Sequence, residues 1–346
     1  MLNKNEANPV KPERSRVFLI LVSFLFLAFS PAISAETGKI LYVKDIPEGG
    51  VDKLWGTNVP ANFLIYVVNP DRLAGWHGDL YDYEKPYIPE KYHNLPKLGG
   101  WHGGGGLPDK EMLLAHKVKN GVMFENAHMQ IENASELQEL GMNIYILKGG
   151  DLDEGANTLR DLGKLLGVAE RGEELAKYAE EALASVRAAV KNIPQSAKPK
   201  VYIAQGIDGL RTTCKNQVLE IAGGRNAVNC EKDIYARQLS FEQLMQINPD
   251  VLVIQNPFFV KTFNDDVRWK RLRAYKNGKV YIVPFGPFSW MDKPEPVKYM
   301  AIKWLSCKLY PDRCKIDLQS ETKKFMKLFM HQDLDDREIK KILQEN

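Results

Sequence analysis

One unit occurs twice in this chain, once in each half, and that repeat constrains the fold more than any other feature. Residues 107–126 read LPDKEMLLAHKVKNGVMFEN and residues 239–256 read LSFEQLMQINPDVLVIQN. Each holds an acidic residue, a short apolar helix pattern, a turn and an apolar run suited to a buried strand. In both copies a glutamate, Glu111 or Glu242, stands near the helix start. The helix dipole favours negative charge there, and the neighbouring Pro, Asp or Ser suits a cap. A helix feeding a buried strand, twice over, predicts two lobes, and two lobes imply a cleft.

Residues 1–35 are set apart from the fold. Lys11, Arg14 and Arg16 form a basic start, and residues 17–30 (VFLILVSFLFLAFS) form an apolar run. That run is shorter than the roughly 20 residues of a membrane span, and Ile33-Ser34-Ala35 offers a small-residue cleavage site. The pattern predicts a cleavable secretory signal, a mature chain beginning near Glu36 and a bacterial periplasmic location. No Cys follows the apolar run, so no lipid anchor is expected. Without these residues, 43 Lys and Arg stand against 42 Asp and Glu. Such balance argues against a nucleic-acid footprint, which needs a strongly basic face.

About 310 residues suit two domains of roughly 150 each. Residues 40–43 and 63–68 are expected as the first strands of lobe one, followed by a loop-rich stretch over 69–106. Residues 135–141 suit a helix and 143–147 a strand. Strands separated by helical segments predict an α/β fold with parallel sheets. From Ala156 the pattern is helical without a strand, and residues 171–193 are expected as the longest helix. The expected division is an N-terminal lobe over 36–167, an inter-lobe helix over 168–193 and a C-terminal lobe over 194–346. In the latter, strands are expected at 200–205, 251–255 and 279–283 and helices at 217–222 and 297–310. The charged tail, 333–346, is expected as a surface helix or a frayed end.

Cys214, Cys230, Cys307 and Cys314 all lie in the second half. An even count in an exported chain favours disulfides, and nearest-neighbour pairing joins Cys214 to Cys230 and Cys307 to Cys314. A four-cysteine zinc site is the rival reading, but no CxxC pair occurs.

Three segments carry a family resemblance: GKVYIVPFGPFSWMDKPEPVKYMAIKWLSCKLYP at 278–311, LSFEQLMQINPDVLVI at 239–254 and VLEIAGGRNAV at 218–228. Together with NPDRLAGW at 69–76 and PEKYHNLPKLGGWHGGG at 89–105, they resemble the periplasmic binding proteins of iron–siderophore, haem and cobalamin importers, over essentially the whole mature chain. The resemblance implies two Rossmann-like lobes joined by one rigid helix, little hinge closure, and delivery of ligand to an ATP-driven inner-membrane ABC permease. It also implies that Glu111 and Glu242 dock to arginines of that permease. One charge on each lobe would let the permease sense both lobes together; the alternative is that each glutamate serves only its own helix dipole.

Open sheets bind ligands at the carboxyl ends of their strands, so loops after strand ends supply the candidate contacts. In lobe one these are Trp76-His77-Gly78 and Trp101-His102-Gly103, a twice-occurring WHG. An imidazole beside aromatic surface suits a flat or apolar chelate and can complete an open metal position. His102 and His77 are therefore candidate metal ligands, with His128 a weaker third; His93, His116 and His331 read as surface residues. In lobe two, Arg211 can pair with an anionic ligand through its planar fork. Tyr235, Arg237, Phe258, Phe285, Phe288 and Trp290 are candidates for the opposite wall.

The transported ligand is expected to contain a metal, iron first, with nickel or cobalt as alternatives, and no intrinsic cofactor is expected. The protein is expected to be a monomer. No GxSxG elbow, HExxH pair or Walker loop occurs, so an enzyme is the weaker reading, with a metal-dependent hydrolase built from the histidines its most concrete form. A binder of bare Zn²⁺ or Mn²⁺ is the alternative within transport.

Overall fold

The computed structural model describes residues 37–101, 107–124, 134–231, 234–292 and 295–344. The expected signal segment, His102 and His128 lie outside them.

Parallel strand pairing organises the described chain. In lobe one, β1 (Ile40–Tyr42), β2 (Trp55–Gly56), β3 (Asn120–Phe124) and β4 (Asn143–Leu147) form a sheet in the order β1-β4-β3-β2. In lobe two, β5 (Lys200–Ala204), β7 (Arg225–Asn226), β9 (Val251–Ile254) and β10 (Val280–Ile282) form a second, in the order β10-β9-β5-β7. A short antiparallel ribbon of β6 (Arg211–Thr213) and β8 (Ala236–Gln238) stands beside it.

The helices of lobe one are α1 (Val59–Val68), α2 (Lys110–Ala115), α3 (Ala134–Glu139) and α4 (Gly155–Leu165). They are followed by α5 (Ala169–Val190), then α6 (Gln217–Ile221), α7 (Phe241–Ile247), α8 (Pro257–Phe263), α9 (Arg273–Lys276) and α10 (Glu295–Leu309). The chain closes with α11 (Leu318–Met330) and α12 (Asp336–Leu343).

The repeat appears as α2 leading to β3 and α7 leading to β9. Asp109 caps α2 by accepting from the Met112 amide, and Ser240 caps α7 in a reciprocal box with Gln243. Each satisfies an otherwise orphaned amide of the first turn.

Residues 63–68 form a helix where a strand is expected. Asn58 accepts from the Ala61 amide and Pro60 occupies the first turn, so capping sets a helix start just before the apolar run. Nearly all of α1 is buried, and a helix apolar all round shows no amphipathic period to distinguish it from a buried strand.

Among the described helices α5 is the longest, at 22 residues. It crosses α4 where Gly163 meets Gly172: a Cβ on Gly163 would stand 2.7 Å from the Gly172 Cα, so larger residues there would push the helices apart. The buried face of α5, including Leu175, Ala179, Leu183 and Val186, belongs to a continuous core. That core also holds Val122 and Tyr145 of the first sheet and Val201 and Ile203 of the second. Packed side chains, which transmit strain, therefore couple the lobes.

The chain's end folds back onto lobe one. Phe325, Met326, Phe329 and Met330 of α11 join the same core as α1, and His331 contacts the Tyr66 and Val67 carbonyls at 3.1 Å each. The tail is a capped helix, α12, whose Ile339, Ile342 and Leu343 are buried. Both disulfides form as nearest-neighbour pairing predicts, Cys214–Cys230 and Cys307–Cys314. No described helix is long and apolar enough to cross a membrane.

Candidate ligand-binding site

The first WHG is built into the body of lobe one. Trp76 forms a parallel bridge with Lys97, donates its indole N–H to the Tyr92 carbonyl at 2.7 Å and packs in the core against Tyr66. His77 is 5% exposed. Its ring lies so close to Gly100 that a Cβ there would come within 2.4 Å of Nδ1. Trp76 and His77 thus occupy the interior rather than an open wall. The second WHG begins at Trp101, half-buried, 6.4 Å from the Trp55 ring and tied by its amide to the Thr57 carbonyl after β2. His102 lies outside the described residues. Among the described residues no three His, Cys, Asp or Glu side chains gather as a metal site.

Lobe two brings several candidates together. Arg211 opens β6 and is exposed; its backbone exchanges both hydrogen bonds with Gln205, the residue that follows β5. Arg237 lies opposite Thr212 in the ribbon and donates to the Asn229 carbonyl at 2.8 Å. Tyr235, 71% exposed, precedes β8, and its carbonyl accepts from the Cys214 amide. The Cys214–Cys230 bond clamps this ribbon, so Arg211, Tyr235 and Arg237 share one cross-linked element. Phe258, 64% exposed, stands at the start of α8 after β9.

Phe288 and Trp290 behave differently. Phe288 meets Phe63 of α1 edge to face at 4.7 Å, and Trp290 is fully buried. A large aromatic with a satisfied indole is as valuable to a core as to a wall, and here Trp290 reaches the Gly286 carbonyl.

Two features escape a reading of motifs. Tyr81 and Tyr83 stack at 5.1 Å with planes 10° apart, both about half exposed, and Tyr83 meets Phe285 of lobe two edge to face at 5.2 Å. Alternating aromatics in a loop, YDYEKPY, are the signal that could have found them. Beside them Glu84 is buried and accepts from the Tyr81 amide; burial pushes its carboxyl up to about 7. The neighbouring Tyr83 hydroxyl is pushed up to about 12, by burial first and by Glu84 second. The second feature is the amide pair Gln205–Gln255, in contact at 2.8 Å at the ends of β5 and β9. KVYIAQ and VLVIQ, two strands each closing on glutamine, carry that signal.

Glu111 and Glu242 are exposed in the first turns of α2 and α7. The Glu242 carboxylate is held below its usual range by its own amide and the Ser240 hydroxyl, with Arg268 adding to the effect. A groove of about 520 Å³, lined by Asp153, Arg187, Val190, Gln217, Glu220 and Ile221, runs beside the end of α5.

Two parallel-sheet lobes coupled through a helix, with exposed aromatic and cationic loops, form an architecture shared with solute-binding proteins. Residues 122–286 match the family model for periplasmic binding proteins, and the chain resembles binding proteins of that kind. It is 29% identical to an ABC transporter solute binding protein from Sulfurospirillum deleyianum DSM 6946, with a TM-score of 0.80 over 90% of this chain and 99% of that one. A periplasmic solute binding protein from Veillonella parvula DSM 2008 shares the fold, with a TM-score of 0.73 at 24% identity over 86% and 93% of the two chains. The high-affinity heme uptake system protein IsdE of Staphylococcus aureus (strain bovine RF122 / ET3-1) is 26% identical over 218 residues, 58% of this chain and 70% of that protein.

Proposed function

We propose that this protein captures an iron–siderophore or related metal chelate in the periplasm and passes it to an inner-membrane ABC permease. The observation that carries the reading is the composition of the exposed loops. Exposed Tyr81 and Tyr83 on one lobe, and exposed Tyr235, Phe258 and Arg211 on the other, offer apolar faces with a cation. Ligand sites combine such surfaces with a few fixed polar groups, and a chelate with an apolar or anionic periphery matches them. Export through the signal at residues 1–35, metal ligation by His102 and docking through Glu111 and Glu242 belong to the same proposal. The protein itself supplies no cofactor; the metal is cargo.

Haem is the second reading, favoured by the likeness to the heme uptake protein of S. aureus. Fluorescence titration with a ferric trihydroxamate, a ferric catecholate and haemin tests the proposal. Saturation at one equivalent of one probe is expected, and binding of bare metal salts in preference to all three would contradict it.

A further inference from the structure

We propose that the Gln205–Gln255 amide pair is the polar floor of the lobe-two wall and selects a chelate whose organic rim carries amide groups. The inference rests on the solute-binding reading above and names the ligand chemistry of the same site.

The topology singles out this position. From β5 the chain passes to β7 on one flank of the sheet and later to β9 and β10 on the other. The crevice beyond the ends of β5 and β9 is therefore the place where strand order reverses, the usual ligand position of an open parallel sheet. Ala204 and Ile254 are register partners, so Gln205 and Gln255, each one residue further on, leave the sheet side by side. Both are half-buried.

The pairing sets what they present. Gln205 Nε2 donates to Gln255 Oε1 at 2.8 Å. A primary amide has two hydrogens to donate and two lone pairs to accept with. The contact leaves the Gln205 carbonyl oxygen as an acceptor and the Gln255 amino group as a donor. Each side chain restrains the other, so less rotamer freedom remains to be lost on binding. Arg211 is rooted directly across from Gln205 by two backbone hydrogen bonds, 2.7 and 3.2 Å, and adds a cation beside the neutral pair.

An adjoining acceptor and donor match a group that carries both, such as a secondary amide. A carboxylate only accepts: it can use the Gln255 amino group but leaves the Gln205 carbonyl without a donor. The pair therefore favours a peptidic chelate over a tetrapyrrole whose polar edge consists of carboxylates.

Calorimetry with two probes tests this: a ferric trihydroxamate on a cyclic peptide, and haemin. The wild-type protein is expected to bind the peptidic chelate more tightly. Gln255→Glu preserves the acceptor for Gln205 but removes the donor amide, and should weaken the peptidic chelate about tenfold, the scale of one lost hydrogen bond to ligand. Gln205→Leu should do the same with an unchanged unfolding midpoint. Unchanged affinity in both variants would overturn the amide-pair assignment while leaving the chelate reading intact, as would tighter binding of haemin by the wild type. Binding of bare ferric salt in preference to both probes and to a ferric catecholate by the wild-type protein would overturn both.

Discussion

The Tyr66 hydroxyl donates to the Met330 carbonyl at 2.6 Å, joining the first helix of lobe one to the end of α11 across 264 positions of sequence. Burial holds this phenol protonated far above its ordinary range, with Tyr92 adding to the effect. Tyr66→Phe would leave a buried carbonyl without its donor. We expect a loss of about 1–3 kcal/mol in denaturant unfolding, with the slope against denaturant unchanged; no loss would mean that α11 is not anchored through this bond.

Two titratable groups, buried Glu84 and half-buried His331, act on stability in opposite senses. The Glu84 carboxyl is raised from 4.5 to about 7 by burial, so the folded state holds its proton more tightly than the unfolded state does. Its contribution is fully present below about pH 4.5 and is lost as pH rises through about 7. His331 is lowered from 6.5, by burial first and Arg171 second, so its contribution is present above pH 6.5 and is lost as pH falls. Glu84→Gln should leave a protein that destabilises on acidification from pH 7.5 to 5.5, and His331→Asn one that stabilises over the same range. Chemical unfolding across that range checks both slopes. Identical slopes in the two variants would contradict the assignment.

The Cys214–Cys230 bond spans 16 residues and clamps the ribbon that carries Arg211, Tyr235 and Arg237. Closing a loop of about 15 residues is worth roughly 3 kcal/mol. The Cys214→Ser, Cys230→Ser double variant should lose about 2–4 kcal/mol and bind chelate more weakly. Cys307→Ser with Cys314→Ser, which opens a loop of 7 residues by the end of α10, should leave binding unchanged. Equal binding by both double variants would separate the ribbon from the site.

Glu111 and Glu242 sit exposed on corresponding helices of the two lobes. Glu111→Ala with Glu242→Ala should leave chelate affinity intact and reduce cellular uptake about tenfold or more, as expected when charge pairs across an interface are lost. Weakened chelate binding in the purified double variant would place the glutamates in the site instead of on the docking face.

Much of the fold was legible because it follows from local pattern: the repeated cap, helix and strand are written in Asp109, Glu111, Ser240 and Glu242, and the disulfides follow from the even count and nearest-neighbour spacing of the cysteines. The exception at residues 63–68 is physical, since a helix buried on every side loses its period and only Asn58 and Pro60 mark its start. The site was less legible. Trp76 and Trp290 have the composition of a ligand platform, but their indole N–H groups find carbonyls inside the core. His93 and His331 read as surface residues, yet both are half-buried with Nε2 against backbone carbonyls. Gln205 and Gln255 are ordinary in sequence and gain meaning only when β5 and β9 lie side by side.

The proposed cargo is a metal chelate. Native mass spectrometry with metal analysis of protein recovered gently from its own cells tests this most directly. One metal ion, iron first, is expected with an organic mass of several hundred daltons, both lost from the His102→Ala variant. Protein that carries bare zinc or manganese, or turns over a substrate without retaining a chelate, would contradict it.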